Sequence, residues 1–192
     1  MAHHRYVRSS TTTAAAASPV TIMKTYVALL RAVNVGGTGK LPMSTLKQMC
    51  EEVGLKQVRT YIASGNIVFK SDTEEAEIKS ALECRLQAYA GKPVGVLVRS
   101  AGEMAAVLAR NPFPGEPGNR TVALFVDDPL PADALDYATG LRGEQLRLGE
   151  REIYIFYGDG MADSRLRIPA GSAGTARNMN TVAKLVEMAT GP

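Results

Sequence analysis

Residues 26–37, YVALLRAVNVGG, read as a strand that runs from Tyr26 to Val35 into a glycine turn. Side chains alternate faces along a strand. Val27, Leu29, Arg31, Val33 and Val35 therefore share one face, and Tyr26, Ala28, Leu30, Ala32 and Asn34 the other. Both faces are mostly apolar, so both are expected to be covered and the strand to be central in its sheet. Arg31 is the anomaly. An isolated buried charge costs several kcal/mol, so its guanidinium is expected to meet one of three fates. It pairs with an acid at the strand end, it faces an anion, or the strand bends and leaves it in water.

Outward from this strand the pattern is regular. Leu46, Met49, Cys50 and Val53 recur at helical spacing between Pro42 and Gly54. Residues 58–62 and 67–70 read as two strands joined over Ala63-Ser64-Gly65-Asn66, with Gly65 and Asn66 expected to take the positive φ angles. Asp72 and Glu75 suggest a capping box for a helix that buries Ile78, Leu82 and Leu86. A strand over 93–99 and a helix capped by Ser100 and Glu103 follow. The segment 111–119, NPFPGEPGN, breaks the pattern as a linker. Beyond it come a strand at 121–126, a short helix at 131–138, a hairpin over 145–148 and 152–157, and a last helix marked by Val182, Leu185 and Val186.

The two halves, 23–110 and 120–190, thus read βαββαβα and βαββα. The fold class expected is α+β, with two ferredoxin-like subdomains (βαββαβ and βαββα) built on mainly antiparallel sheets. The second would lack the final strand, and the likeness between halves is one of topology, without a residue-level repeat. Residues 1–22, rich in Ser, Thr and Ala and free of acids, are expected to be a disordered tail ahead of Met23.

Net charge is +3, and Arg5, Arg8 and Lys24 account for it; from Thr25 onward there are 19 basic and 19 acidic residues. Bulk charge therefore gives nonspecific nucleic-acid binding no support. No apolar run is long enough to span a membrane. Two cysteines, Cys50 and Cys84, make no disulfide framework, and a cytoplasmic setting is expected. Both histidines, His3 and His4, lie in the tail, which excludes His-based nucleophile systems and His-ligated zinc from the body of the chain. No metal site is expected, and the cofactor and the oligomeric state stay open.

Gly36-Gly37-Thr38-Gly39-Lys40-Leu41 is not a P-loop, which would need Gly where Asn34 stands and a hydroxyl where Leu41 stands. A looser phosphate cradle of Gly36, Gly37 and Lys40 remains as an expectation. RNA stacking on an open sheet has only Tyr26, Tyr61 and Phe69 to offer. Residues 174–181, GTARNMNT, carry two competent N-caps, Thr175 and Asn178, and more polar groups than one cap requires.

Taken together, RAVNVGG, TYIASGNIVF, NPF and GTARNMNTVAKL resemble the bacterial domain-of-unknown-function family numbered 1697, from about Met23 to Met188. The resemblance implies an α+β fold of two similar subdomains and no established activity. It marks Arg31, Asn34, Gly36, Gly37, Thr60, Tyr61, Ser64, Gly65, Asn66, Arg177, Asn178, Asn180 and Thr181. Two departures stand out: Met179 replaces a usual aromatic, and Met161–Ala173 is short where a helix is usual.

The leading expectation is a small anionic ligand, a nucleotide or phosphorylated metabolite, held between the halves by Arg31, Asn34, Ser64, Asn66, Arg177, Asn178, Asn180 and Thr181. The second is an enzyme acting on phosphate esters or nucleotides through Lys40 or a loop Asp. The third is a nucleic-acid or protein adaptor using Lys40, Lys47, Lys56, Arg59 and Lys70.

Overall fold

The structure, a computed structural model, describes residues 22–34 and 40–191. Residues 1–21 of the expected tail and the Gly36–Gly37 part of the cradle lie outside the described residues.

Among the described residues eight strands and four α-helices follow in order: β1 (Lys24–Leu30), α1 (Met43–Glu52), β2 (Lys56–Tyr61), β3 (Asn66–Ser71), α2 (Glu75–Ala90), β4 (Val96–Ser100), α3 (Ala101–Ala109), β5 (Thr121–Phe125), β6 (Gln145–Leu148), β7 (Glu152–Phe156), β8 (Thr175–Asn178) and α4 (Met179–Thr190). They make two four-stranded antiparallel sheets, ordered β2-β3-β1-β4 and β6-β7-β5-β8. The fold is α+β.

β1 is central and both its faces are buried. Tyr26, Ala28 and Leu30 pack with Leu46, Met49 and Cys50 of α1 and with Ile78, Leu82 and Leu86 of α2. Val27 and Leu29 pack the other way, against Met104 and Val107 of α3 and Val182 and Leu185 of α4. Ala123, Phe125 and Tyr154 of the second sheet enter that same core, so α3 and α4 form a layer between the sheets. Phe113, inside the expected linker, is buried there too, tilted against Phe156 at 5.9 Å. The outer face of the second sheet (Val122, Ile153, Ile155) is covered by coil residues such as Leu130, Leu135 and Ile168. With Tyr26 and Phe69 stacked inside the first core, neither ring is open to RNA.

Several sequence expectations need correction. β1 ends at Leu30, not Val35: Ala32 and Asn34 take positive φ (51° and 56°), which turns the chain and carries Arg31 out to solvent. Burying a lone guanidinium would have cost more than the turn. In the hairpin, Gly65 (φ 78°) and Ile62 (φ 50°) hold the left-handed angles, while Asn66 is already in β3. Asp72 caps nothing. The helix begins at Glu75, whose N-cap residue Glu74 makes no side-chain cap, and the Glu75 carboxylate binds Arg151 instead. The helix expected at 131–138 is a run of turns with Ala134, Asp136 and Ala138 each bonded three residues back. So short a segment cannot repay helix nucleation.

The largest correction concerns the last strand. Thr175–Asn178 is not only cap but a strand, β8, paired with β5. The second sheet is therefore complete and repeats the first in order. The repeat is also positional. Val27 pairs with Arg99 on β4, and Ala123 pairs with Arg177 on β8. Each arginine is followed by the N-cap of a helix, Ser100 for α3 and Asn178 for α4. At the ends of the central strands, Leu30 N donates to Gly65 O (2.8 Å) and Val126 N to Arg151 O (3.0 Å).

Candidate functional site

Arg177 crosses from the second half to the end of β1 in the first. Nε donates to Asn66 Oδ1 (2.5 Å), Nη1 to Thr175 Oγ1 and Ala176 O (both 2.8 Å), and Nη2 to Leu30 O and Ser64 O (both 2.9 Å). Those five bonds use all the donors a guanidinium has. All five acceptors are neutral. Burial pushes Arg177 down to about 10, which still leaves it a cation at neutral pH.

The neighbours are equally committed. The amide nitrogen of Asn66 donates to Tyr61 O and Ser64 Oγ, both at 2.9 Å. Asn34 clips two loops together: Nδ2 donates to Leu41 O (3.0 Å) and Ala63 O (2.8 Å), and Oδ1 accepts from Leu41 N (2.7 Å). Arg31, exposed, donates to Ser172 O at 2.7 Å. Arg31, Asn34, Ser64, Asn66 and Arg177 are thus gathered at one place, the end of β1. Asn178, Asn180 and Thr181 are not among them. Asn178 caps α4 by accepting from Thr181 N (2.9 Å), and Asn180 lies over Gly118. Asn178 pairs with Val122, three residues, or about 10 Å, along the strand from the Thr175–Phe125 end.

At Asn34 a cleft of about 160 Å³ opens, bordered by Asn34, Lys40, Tyr89 and Lys92 over a floor that includes Leu41 and Leu86. It lies within the first half and not between the halves as expected, and Arg31, Ser64, Asn66 and Arg177 are not in its lining. Among the described residues neither lysine has a carboxylate within 4 Å. Lys92 and Tyr89 do not stand out in the sequence. Their one signal is position, since both flank the Gly91 that ends α2.

The end of β5 provides an internal comparison. There Arg99, 1% exposed, donates to Val98 O (2.7 Å), to Val126 O and to Arg151 O (3.2 Å). Its surroundings are acidic. Glu75 stands 3.9 Å away and also binds Arg151 (2.6 Å), Glu103 binds Arg151 (3.1 Å), and Asp127 binds Lys79. Burial and the nearby Arg151 pull Arg99 down, and Glu75, Glu103 and Asp127 push it up. Three cations meet three acids at β5, whereas among the described residues Arg31, Arg177, Lys40 and Lys92 meet none at β1. Glu83, the acid beside β4, turns to Val96 N (3.0 Å) and Lys79 (3.9 Å) and pairs with none of the four.

Among the described residues no group of three or more His, Cys, Asp and Glu could hold a metal ion, and no helix is long and apolar enough to cross a membrane. Burial pushes the Cys50 thiol up to about 12, as suits inert packing.

Met161–Ala173, expected to depart from the helix usual in the family, has no α-helix: it holds the short 3₁₀ turn Pro169–Gly171 and the bridge of Arg167 to Thr139. Among solved structures, a conserved bacterial protein, SP0830 from Streptococcus pneumoniae, is 27% identical, with a TM-score of 0.74 over 88% of this chain and 100% of that one. No curated protein matches the chain. The family described as "Protein of unknown function (DUF1697)" matches residues 23–154, a span that takes in both sheets up to β7 and the whole cleft, and the chain belongs to it.

Proposed function

We propose that the protein binds a small anionic ligand, a phosphorylated metabolite or nucleotide, in the cleft at the end of β1. The observation that carries this reading is the missing counter-charge. Two positionally equivalent buried arginines differ in their counter-charge: acids surround Arg99, and among the described residues none meets Arg177, Arg31, Lys40 or Lys92. An uncompensated cluster in a partly dry site attracts an anion from outside.

The helix next to the cleft supports the same sign. α1 begins after Pro42 with no side-chain cap and no acid in its first turn. Its free N–H groups add a partial positive charge beside Leu41. In this reading Lys40 and Lys92 contact the anion. Asn34, Ser64 and Asn66 hold the cleft wall, Arg31 and Arg177 contribute field, and Asn178, Asn180 and Thr181 belong to the α4 cap. The cleft is small beside ligand pockets of roughly 300–1,000 Å³, so it takes a head group and leaves the rest of a ligand outside.

Thermal-shift measurement with inorganic phosphate and phosphorylated metabolites tests this. At 100 times its dissociation constant a ligand adds about 2.7 kcal/mol. Lys40→Ala combined with Lys92→Ala is expected to abolish the shift and leave unliganded stability within about 0.5 kcal/mol, since both side chains are exposed. Lys92 also offsets the negative end of α2, so the melting point of Lys92→Ala alone serves as the control. A double variant that still shifts with phosphate contradicts the assignment.

A further inference from the structure

We propose that the ligand is a nucleoside monophosphate whose base stacks on Tyr89, an inference that rests on the anion site just assigned. Three features of the cleft narrow the ligand class beyond "anion". Its volume, about 160 Å³, holds a phosphate and little more, so the body of the ligand must lie along the rim. The rim carries Tyr89, 47% exposed at the last turn of α2, a large ring left in water next to two lysines. The floor side chains, Leu41 and Leu86, are apolar, so recognition there is by contact rather than by a side-chain hydrogen-bond code.

A ligand that satisfies all three has a compact anionic head and a flat ring on a short spacer. A phosphate on ribose with a base meets that description, and a bare sugar phosphate lacks the ring. Stacking of a base on an aromatic side chain tolerates any base, because every base has a π-face. The site therefore distinguishes nucleotides from sugar phosphates and does not strongly distinguish one base from another. Tyr89 acts here by its ring and not by its hydroxyl.

Isothermal titration of AMP, CMP, ribose 5-phosphate and inorganic phosphate against the full chain tests the inference, with Tyr89→Ala and Tyr89→Phe beside wild type. Tyr89 is half exposed, so both variants are expected to fold. Both nucleotides are expected to bind wild type at least tenfold more tightly than ribose 5-phosphate, about what one stacked base contributes. Tyr89→Ala is expected to erase that difference with ribose 5-phosphate affinity unchanged, and Tyr89→Phe to keep it. Nucleotides that bind no better than ribose 5-phosphate overturn the inference and leave the anion site standing, and an advantage that survives Tyr89→Ala overturns the stacking on Tyr89 that the inference states. Failure of every phosphate to bind overturns both.

Discussion

Arg177→Ala is expected to cost about 3–5 kcal/mol of unfolding free energy, the sum over several buried neutral acceptors that lose a charged donor at about 1–3 kcal/mol each. The loss comes from both sides of the contact. Leu30 O, Ser64 O, Asn66 Oδ1 and Thr175 Oγ1 each lose a charged donor, and a buried acceptor left without one costs about 1–3 kcal/mol, partly relieved when water enters. The two halves also lose the contact that ties β8 to the end of β1. Arg177→Lys is expected to recover little, because a point charge with three donors cannot replace a planar fork with five. The midpoint of urea unfolding reads the effect. A change below about 1 kcal/mol in both variants means that the network is solvated in solution and that Arg177 carries no structural role.

Gly65→Ala is the second large effect, expected at about 2–4 kcal/mol from strain and overpacking at one position. Gly65 has φ 78°, where an L side chain is strained, and a Cβ there would stand 2.6 Å from Val33 Cγ2 and 2.7 Å from Leu30 Cβ. Neither neighbour can move away, since Leu30 is fully buried and Val33 nearly so. The same residue accepts from Leu30 N, so the change also disturbs the pairing that ends β1. Gly91→Ala makes a useful contrast. Gly91 has φ 68°, but a Cβ added there would meet nothing within 4 Å, so only the backbone strain remains. Equal losses at Gly65 and Gly91, again by urea unfolding, would show that the close approach to β1 is absent.

The first half was legible because its signals agree. Leu46, Met49 and Cys50 fall on one face of α1, Ser100 and Glu103 form the expected capping box, and Gly91 stops α2 where its apolar pattern ends. The second half hid its last strand for a physical reason. β8 has four residues, and the two that point inward, Thr175 and Arg177, are polar, so the alternation that marks a strand is missing. Only pairing with β5, far away in sequence, makes it one. The repeat was hidden for a related reason. LVRS and TARN share no residue but the arginine, yet they occupy the same register against β1 and β5.

At the candidate site, the sequence drew attention to polar residues among apolar ones and could not say where their hydrogen bonds go. Asn66 and Arg177 turn out to satisfy each other and the backbone, and Asn34 satisfies the backbone alone. Lys92 and Tyr89 looked like ordinary surface residues, because only the fold brings the end of α2 beside the loop that precedes α1. The missing counter-charge is likewise invisible in the sequence, where basic and acidic residues balance beyond Thr25. It emerges only when the ends of β1 and β5 are compared.

That comparison also sets the most direct test. Backbone amide shifts can be followed by NMR as inorganic phosphate is added to the full chain in a chloride buffer. The amides of the non-proline residues in 31–34, 40–45 and 89–94 are expected to move along saturable curves, and those in 126–130 and 149–152, at the equivalent end of β5, to stay still. Shifts spread evenly over both ends, or none that saturate at the end of β1, would contradict an anion site at that strand end.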